Sequence, residues 1–184
     1  VTIPGWRAPE QSLAPITGFL RQRGHDARTW GLGVIGNDVE SMRDRFVPDL
    51  ERRVERAGRP ANLVGWSLGG VMAREAARER PDLVHRVLTF GTPAIGGPTY
   101  TAGAGRLGEA ECRRIAALQQ QLDEQQPITV PITAIFSRRD GVVDWRACMD
   151  RYSLAVEHVE VGSSHVGLGI DPDVWSIAAR VLAV

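Results

Sequence analysis

The sequence predicts an α/β fold, a mostly parallel sheet of about six strands with helices on both faces. Three observations carry that expectation. Short apolar runs alternate with helical patterns from one end of the chain to the other, and such alternation calls for a parallel sheet with crossover helices. A strand-like run, a glycine-flanked turn and a small-residue helical pattern follow one another over residues 61–77. Polar residues able to do chemistry fall just after the ends of apolar runs, where a parallel sheet gathers its loops. At 184 residues the chain is expected to form one domain, residues 1–184, large enough to bury well over half of its unfolded surface.

The elements follow in order. Residues 1–4 read as a strand, and Leu13, Ile16 and Leu20 mark a helix closed by Gly24. Residues 26–30 form a weaker, more polar strand. Val39, Met42 and Phe46 give a second helix that Pro48 should break or restart before Arg59. Residues 61–64 are a strand, and Val71, Met72, Ala73, Ala76 and Ala77 form the helix behind it. Another strand covers 84–90. The long connection 93–127 contains a helix over 107–122, whose stripe Ile115, Leu118 and Leu122 is expected to be consumed in packing on the sheet. Strands at 132–136 and 155–161 come next. Asp171 and Pro172 supply the N-cap and N1 of a last helix, with Val174, Ile177, Ala178 and Val181 on one face.

Composition narrows the function classes. Basic and acidic residues balance at 22 each and no basic cluster stands alone, so nucleic acid and anionic membrane surfaces have no electrostatic claim on the chain. All the basic residues are arginine; without lysine there is no Schiff-base chemistry, no pyridoxal phosphate attachment and no P-loop. No apolar run approaches the roughly 20 residues of a membrane span. The chain opens at Val1 inside a strand-like run, so any leader is expected to have been removed or trimmed, and a secreted or a cytoplasmic location stays open. Cys112 and Cys148 leave two readings open, one disulfide or two free thiols.

Gly65-Trp66-Ser67-Leu68-Gly69 is a G-x-S-x-G turn between a strand and a helix, the setting that puts a serine on a strained elbow at the C-terminal edge of a sheet. A nucleophilic serine needs a base, and the base an orienting acid. Asp140 follows the 132–136 strand, and His165 lies in Ser164-His165-Val166-Gly167 after the 155–161 strand. His25, His85 and His158 are placed worse. The first two lie at the opposite edge of the sheet, and His158 lies inside a strand.

On these motifs, with Ile3-Pro4-Gly5-Trp6 and Thr89-Phe90-Gly91-Thr92-Pro93, the chain resembles the α/β-hydrolase superfamily, lipase/esterase branch, above all its small lidless bacterial lipases. The resemblance spans nearly the whole chain and implies a minimal α/β-hydrolase fold and a serine carboxylester hydrolase. It implies Ser67, His165 and Asp140 as the triad, prefers Asp140 to Asp144 as the acid, and gives the backbone N–H groups of Trp6 and Leu68 as oxyanion donors. No metal or organic cofactor is expected. Pro4 replaces the histidine of the usual His-Gly pair and Trp66 stands where histidine is commoner before the serine, so substrate preference does not transfer. Ile95, Trp145, Val166 and Leu168 are candidate pocket residues. The connection 93–127 leaves two readings, a lid or one ordinary helix with loops; the second is preferred and implies an open site, suited to short- to medium-chain esters or lipids. Thioesterase and acyltransferase chemistry use the same triad, and a non-catalytic binding protein on the same fold is the rival of another class.

Two glycine patterns resemble the dinucleotide fingerprint. Gly31, Gly33 and Gly36 follow a strand too polar for the centre of a dinucleotide-binding sheet, and Asp38 puts a carboxylate where a pyrophosphate belongs, so a rim loop is expected. Gly103, Gly105 and Gly108 have no strand before them.

Overall fold

The computed structural model describes residues 1–36 and 38–183. Five parallel strands stand in the order β1-β2-β3-β4-β5: β1 (Thr2–Ile3), β2 (Ala61–Trp66), β3 (Val84–Phe90), β4 (Ile132–Phe136) and β5 (Val156–Glu160). The sixth strand expected at 26–30 is reduced to one parallel bridge between Thr2 and Thr29. Its polar residues explain why it goes no further. Asp26 and Arg28 pair with each other at the surface, and the Arg53 guanidinium takes the carbonyls of Thr29 and Trp30 that another strand would need.

This segment sets where the sheet reverses. The chain leaves β1, crosses through α1 (Ala14–Gln22) to the Thr29 side, then returns through α2 (Val39–Ala57) to place β2 on the other side of β1. The sheet therefore switches direction at the C-terminal ends of β1 and β2, the crevice where α/β proteins bind ligands.

Period-two alternation divides the core between two faces. Leu63, Val87, Ile132 and Ala134 join one cluster with Met42, Phe46 and Leu50 of α2 and Met72, Ala73 and Ala76 of α3 (Leu68–Glu79). Val64, Leu88, Phe90 and Ile135 point the other way, to Leu13, Ile16 and Leu20 around α1 and to Val174 and Ala178 of α6 (Pro172–Leu182). Each large apolar side chain so buried contributes about 1.5–3 kcal/mol before conformational entropy is set against it.

Two helix starts follow their capping chemistry. Asp38 accepts from Ser41 N–H at 3.0 Å and Asp171 from Asp173 N–H at 2.8 Å. Pro48, expected to break α2, sits inside one continuous helix. It and Asp44, whose carbonyl loses its helical partner, are exposed, so water can satisfy that carbonyl, while buried Phe46, Val47 and Leu50 hold both halves to the core.

The connection after β3 departs most from expectation. Gly108, at φ 82°, divides its helix into α4 (Ala104–Leu107) and α5 (Glu109–Gln125). The apolar stripe is not consumed in packing: Leu118 is exposed, Ile115 and Leu122 are half-buried, and Cys112 and Asp123 are the buried residues of α5. Ions anchor α5 instead. Asp123 receives Arg78, while the buried Arg74 lies between Asp150 and, at 3.6 Å, Asp123. Cys112 and Cys148 are both buried free thiols, which closes the disulfide alternative. Among the described residues no helix is long and apolar enough to cross a membrane.

Candidate active site

Ser67 stands between β2 and α3 at φ 53° and ψ −122°, a conformation that L-residues with a Cβ rarely hold. Tight backbone contact on both sides makes the turn. A methyl on Gly65 would meet Gly70 Cα at 2.4 Å, and one on Gly69 would meet the Ile3 carbonyl oxygen at 2.2 Å. The glycines let the first turn of α3 lie directly on β2 and on the end of β1. Ser67 N–H donates to the Phe90 carbonyl at 2.9 Å, and Thr92 Oγ1 donates to the Ser67 carbonyl at 3.0 Å. Thr92, quoted within its motif but given no role from sequence, thus ties the elbow to the loop after β3.

Asp140 and His165 meet at 2.7 Å, carboxylate Oδ2 to imidazole Nδ1, and both are buried. The other carboxylate oxygen accepts the N–H groups of Val142 at 2.9 Å and Val143 at 2.6 Å. A backbone bond from His165 N–H to the Asp140 carbonyl, 2.9 Å, fixes one loop to the other. Two links bring this pair to the elbow. Trp66 Nε1 donates to the His165 carbonyl at 3.2 Å, and a methyl on Gly91, the residue after Phe90, would lie 3.0 Å from both Asp140 Oδ2 and His165 Nδ1. Asp144 points elsewhere, capping a short 3-10 helix through Arg146 N–H at 2.9 Å.

The other candidates scatter. Leu68 is the first residue of α3, where backbone N–H groups have no carbonyl one turn earlier. Trp6 follows Gly5, on which a methyl would come 3.3 Å from Ser67 Cβ. Val166 is exposed, beside His165. Leu168 is fully buried and packs under Gly91, a support for the Asp–His pair instead of a pocket wall. Trp145 stacks on Phe136, with the Arg138 guanidinium 4.3 Å from its ring centre. Ile95 is tied to the same side through a bond from its N–H to the Ala147 carbonyl. Trp145 also lines an open cleft of about 360 Å³ with Tyr100, Ala102, Asp140 and Val142, and neither Ser67 nor His165 lines it.

Burial, followed by the charges of Asp140 and Asp144, pushes the Cys148 thiol up to about 12, so it stays protonated at neutral pH. Among the described residues no group of three or more His, Cys, Asp or Glu side chains is placed to hold a metal ion. The glycines at 31–36 form a loop whose Ile35 bridges to Trp6 and whose Gly33 N–H donates to Glu10 at 2.7 Å, consistent with a rim segment.

No protein-family model and no curated protein matches the chain. Solved structures do. A Bacillus licheniformis lipase in its mature form superposes with a TM-score of 0.71 at 15% identity, covering 100% of this chain and 91% of the lipase. A metagenome-derived lipolytic enzyme gives 0.70 at 16%, covering 99% and 90%. The type II thioesterase of a borrelidin biosynthetic cluster gives 0.65 at 19%, covering 97% and 88%. Identity at that level speaks to architecture alone. With the parallel sheet, its direction switch and the glycine-locked elbow all present, the chain has the α/β-hydrolase fold.

Proposed function

We propose that the chain is a serine carboxylester hydrolase acting through Ser67, His165 and Asp140 on short- to medium-chain esters. The observation that carries this reading is the strained Ser67 elbow tied to a buried Asp140–His165 pair. With Nδ1 facing Asp140, Nε2 of His165 is the nitrogen left to take the Ser67 proton as Oγ attacks the ester carbonyl carbon. Asp140 holds the imidazole tautomer and stabilises the imidazolium. The carbonyl oxygen becomes an oxyanion facing the N–H groups of Leu68 and Trp6, donors of a type worth about 2.7–4 kcal/mol each. The imidazolium then protonates the departing alcohol and the acyl group stays on Ser67. Water, deprotonated by His165, releases the acid and restores the serine.

The thioesterase among the structural neighbours favours one second reading, thioester hydrolysis by the same residues. A fluorophosphonate probe, followed by peptide mapping, tests the site, and 4-nitrophenyl esters of graded chain length test the substrate class. Labelling at Ser67 with ester turnover is expected. Labelling at another serine, or full activity in Ser67→Ala, overturns the assignment, and turnover confined to thioesters favours the second reading.

A further inference from the structure

Two arginines converge on Trp6 beside the elbow, and among the described residues neither pairs with a carboxylate. The Arg7 guanidinium lies 4.9 Å from the centre of the Trp6 ring and that of Arg106 lies 5.8 Å away. They come from different walls, Arg7 from the turn after β1 and Arg106 from α4 in the connection after β3. Gly5, in contact range of Ser67, joins this ring to the nucleophile through a single peptide.

Three acids of the adjoining segments are engaged elsewhere. Glu109 and Glu111 at the start of α5 pair with Arg113 and Arg114, and Glu10 accepts the Gly33 N–H. Arg7 is moreover held at φ 53°, its N–H bonded to the Ile35 carbonyl at 2.9 Å, so its backbone position is imposed by the loop packed against it. On a chain of zero net charge, two unneutralised guanidiniums around one exposed indole make a local positive field at the site's edge.

Resting on the hydrolase reading above, we propose that the substrate carries an anionic group, a carboxylate or a phosphate, held by Arg7 and Arg106 at the Trp6 ring while its ester or thioester carbonyl meets Ser67. Guanidinium forks match both anions with paired hydrogen bonds, and the indole receives the apolar part of the same arm. The anion takes no part in bond making or breaking. It positions the substrate and favours it over a neutral analogue.

Two substrate pairs test this and identify the arm. Mono-4-nitrophenyl succinate against 4-nitrophenyl butyrate places the charge on the acyl arm; butyryl-coenzyme A against S-butyryl-N-acetylcysteamine places phosphates on the leaving group. In one pair kcat/KM of the anionic member is expected to exceed that of the neutral one by about tenfold at low salt, the scale of two exposed charge pairs. Salt at about 0.5 M shortens the screening length and should shrink the advantage. R7Q/R106Q should bring the ratio to about one, and R7K/R106K should keep only part of it, because lysine retains the charge but not the paired hydrogen bonds of the guanidinium fork. Turnover with no anionic advantage in either pair, or an advantage untouched in R7Q/R106Q, overturns the proposal while fluorophosphonate labelling of Ser67 keeps the hydrolase reading intact. Absence of both labelling and turnover overturns the two together.

Discussion

Replacing Asp140 by asparagine tests the site with almost no change of shape. In the native protein Oδ1 of Asp140 accepts from Val142 and Val143 N–H at 2.9 and 2.6 Å, and Oδ2 faces His165 Nδ1 at 2.7 Å. An asparagine must keep its single oxygen toward the two backbone donors, because turning the amide around would set NH2 against them and leave buried groups unsatisfied at about 1–3 kcal/mol each. The amide NH2 is then forced toward Nδ1, which becomes an acceptor, and the imidazole proton moves to Nε2. That is the nitrogen that has to receive the Ser67 proton. The wrong tautomer should lower kcat by a factor approaching ~10⁴, about 5.5 kcal/mol of barrier. Saturating hydrolysis of 4-nitrophenyl butyrate measures it, with urea unfolding as the control, since the two loop hydrogen bonds survive. Asp144→Asn keeps its cap on Arg146 and should be nearly silent. Retention of more than about a tenth of kcat in Asp140→Asn, or a comparable loss in Asp144→Asn, would refute the assignment of the acid.

Two further outcomes concern the scaffold. Gly69→Ala puts a methyl 2.2 Å from the Ile3 carbonyl oxygen and 2.3 Å from that of Pro4, both main-chain atoms of a sheet strand or its immediate end, so it should lose at least the about 1–3 kcal/mol of ordinary overpacking, together with activity. An unchanged urea midpoint would contradict the seam described between α3 and β1. Burial raises the Asp150 carboxyl, but the Arg74 charge and the hydrogen bond from Tyr152 N–H outweigh it and hold the group at about 2, below its ordinary 3.8. A carboxylate lowered on folding stabilises fully above its unfolded value, so about 2 kcal/mol should be present above pH 4 and lost as pH falls through 2. Asp123, raised chiefly by burial, works in the opposite sense. Asp150→Asn should therefore cost about 3–5 kcal/mol at neutral pH by leaving Arg74 under-compensated, and should flatten the acid limb of stability; an acid limb as steep as the native one would show that Asp150 does not set it.

The parts legible in the sequence are those where one residue type answers one local demand. Gly65 and Gly69 bracket Ser67 because backbone meets backbone there, and that need is visible as a spacing. Asp38, Asp171 and Pro172 mark helix starts for the same reason. What could not be read depended on distant partners. Residues 26–30 failed to become a strand because Arg53, in a helix that follows, takes their carbonyls. Pro48 stayed inside α2 because side chains on both sides of it are buried against the sheet. The stripe on α5 misled because its helix is fastened by Asp123 to Arg78 and Arg74 of α3, polar residues that no apolar periodicity reveals. Leu168 looked like a pocket residue from its place beside His165, yet the short 3-10 helix Gly167–Ile170 turns it inward.

Backbone strain shows where the fold is held against its own preference. Among the described residues two without the freedom of glycine have positive φ, Ser67 and Arg7, both at 53°. Such conformations cost of order 1–3 kcal/mol each and persist when surrounding contacts over-determine them. Here the contacts differ. Ser67 is clamped by the Phe90 carbonyl at the end of β3, by Thr92 in the loop after it and by the glycine seam between β2 and α3. Arg7 is clamped by the Ile35 carbonyl, in the loop that the chain makes after crossing to the far side of β1. The direction switch of the sheet thus supplies both constraints, one from each side of the crevice. A fold that needed only a nucleophile would hold the first and relax the second. Arg7 is also held, with its guanidinium at the Trp6 ring, and under the two proposals above this turn would present a side chain as well as a peptide N–H to the substrate.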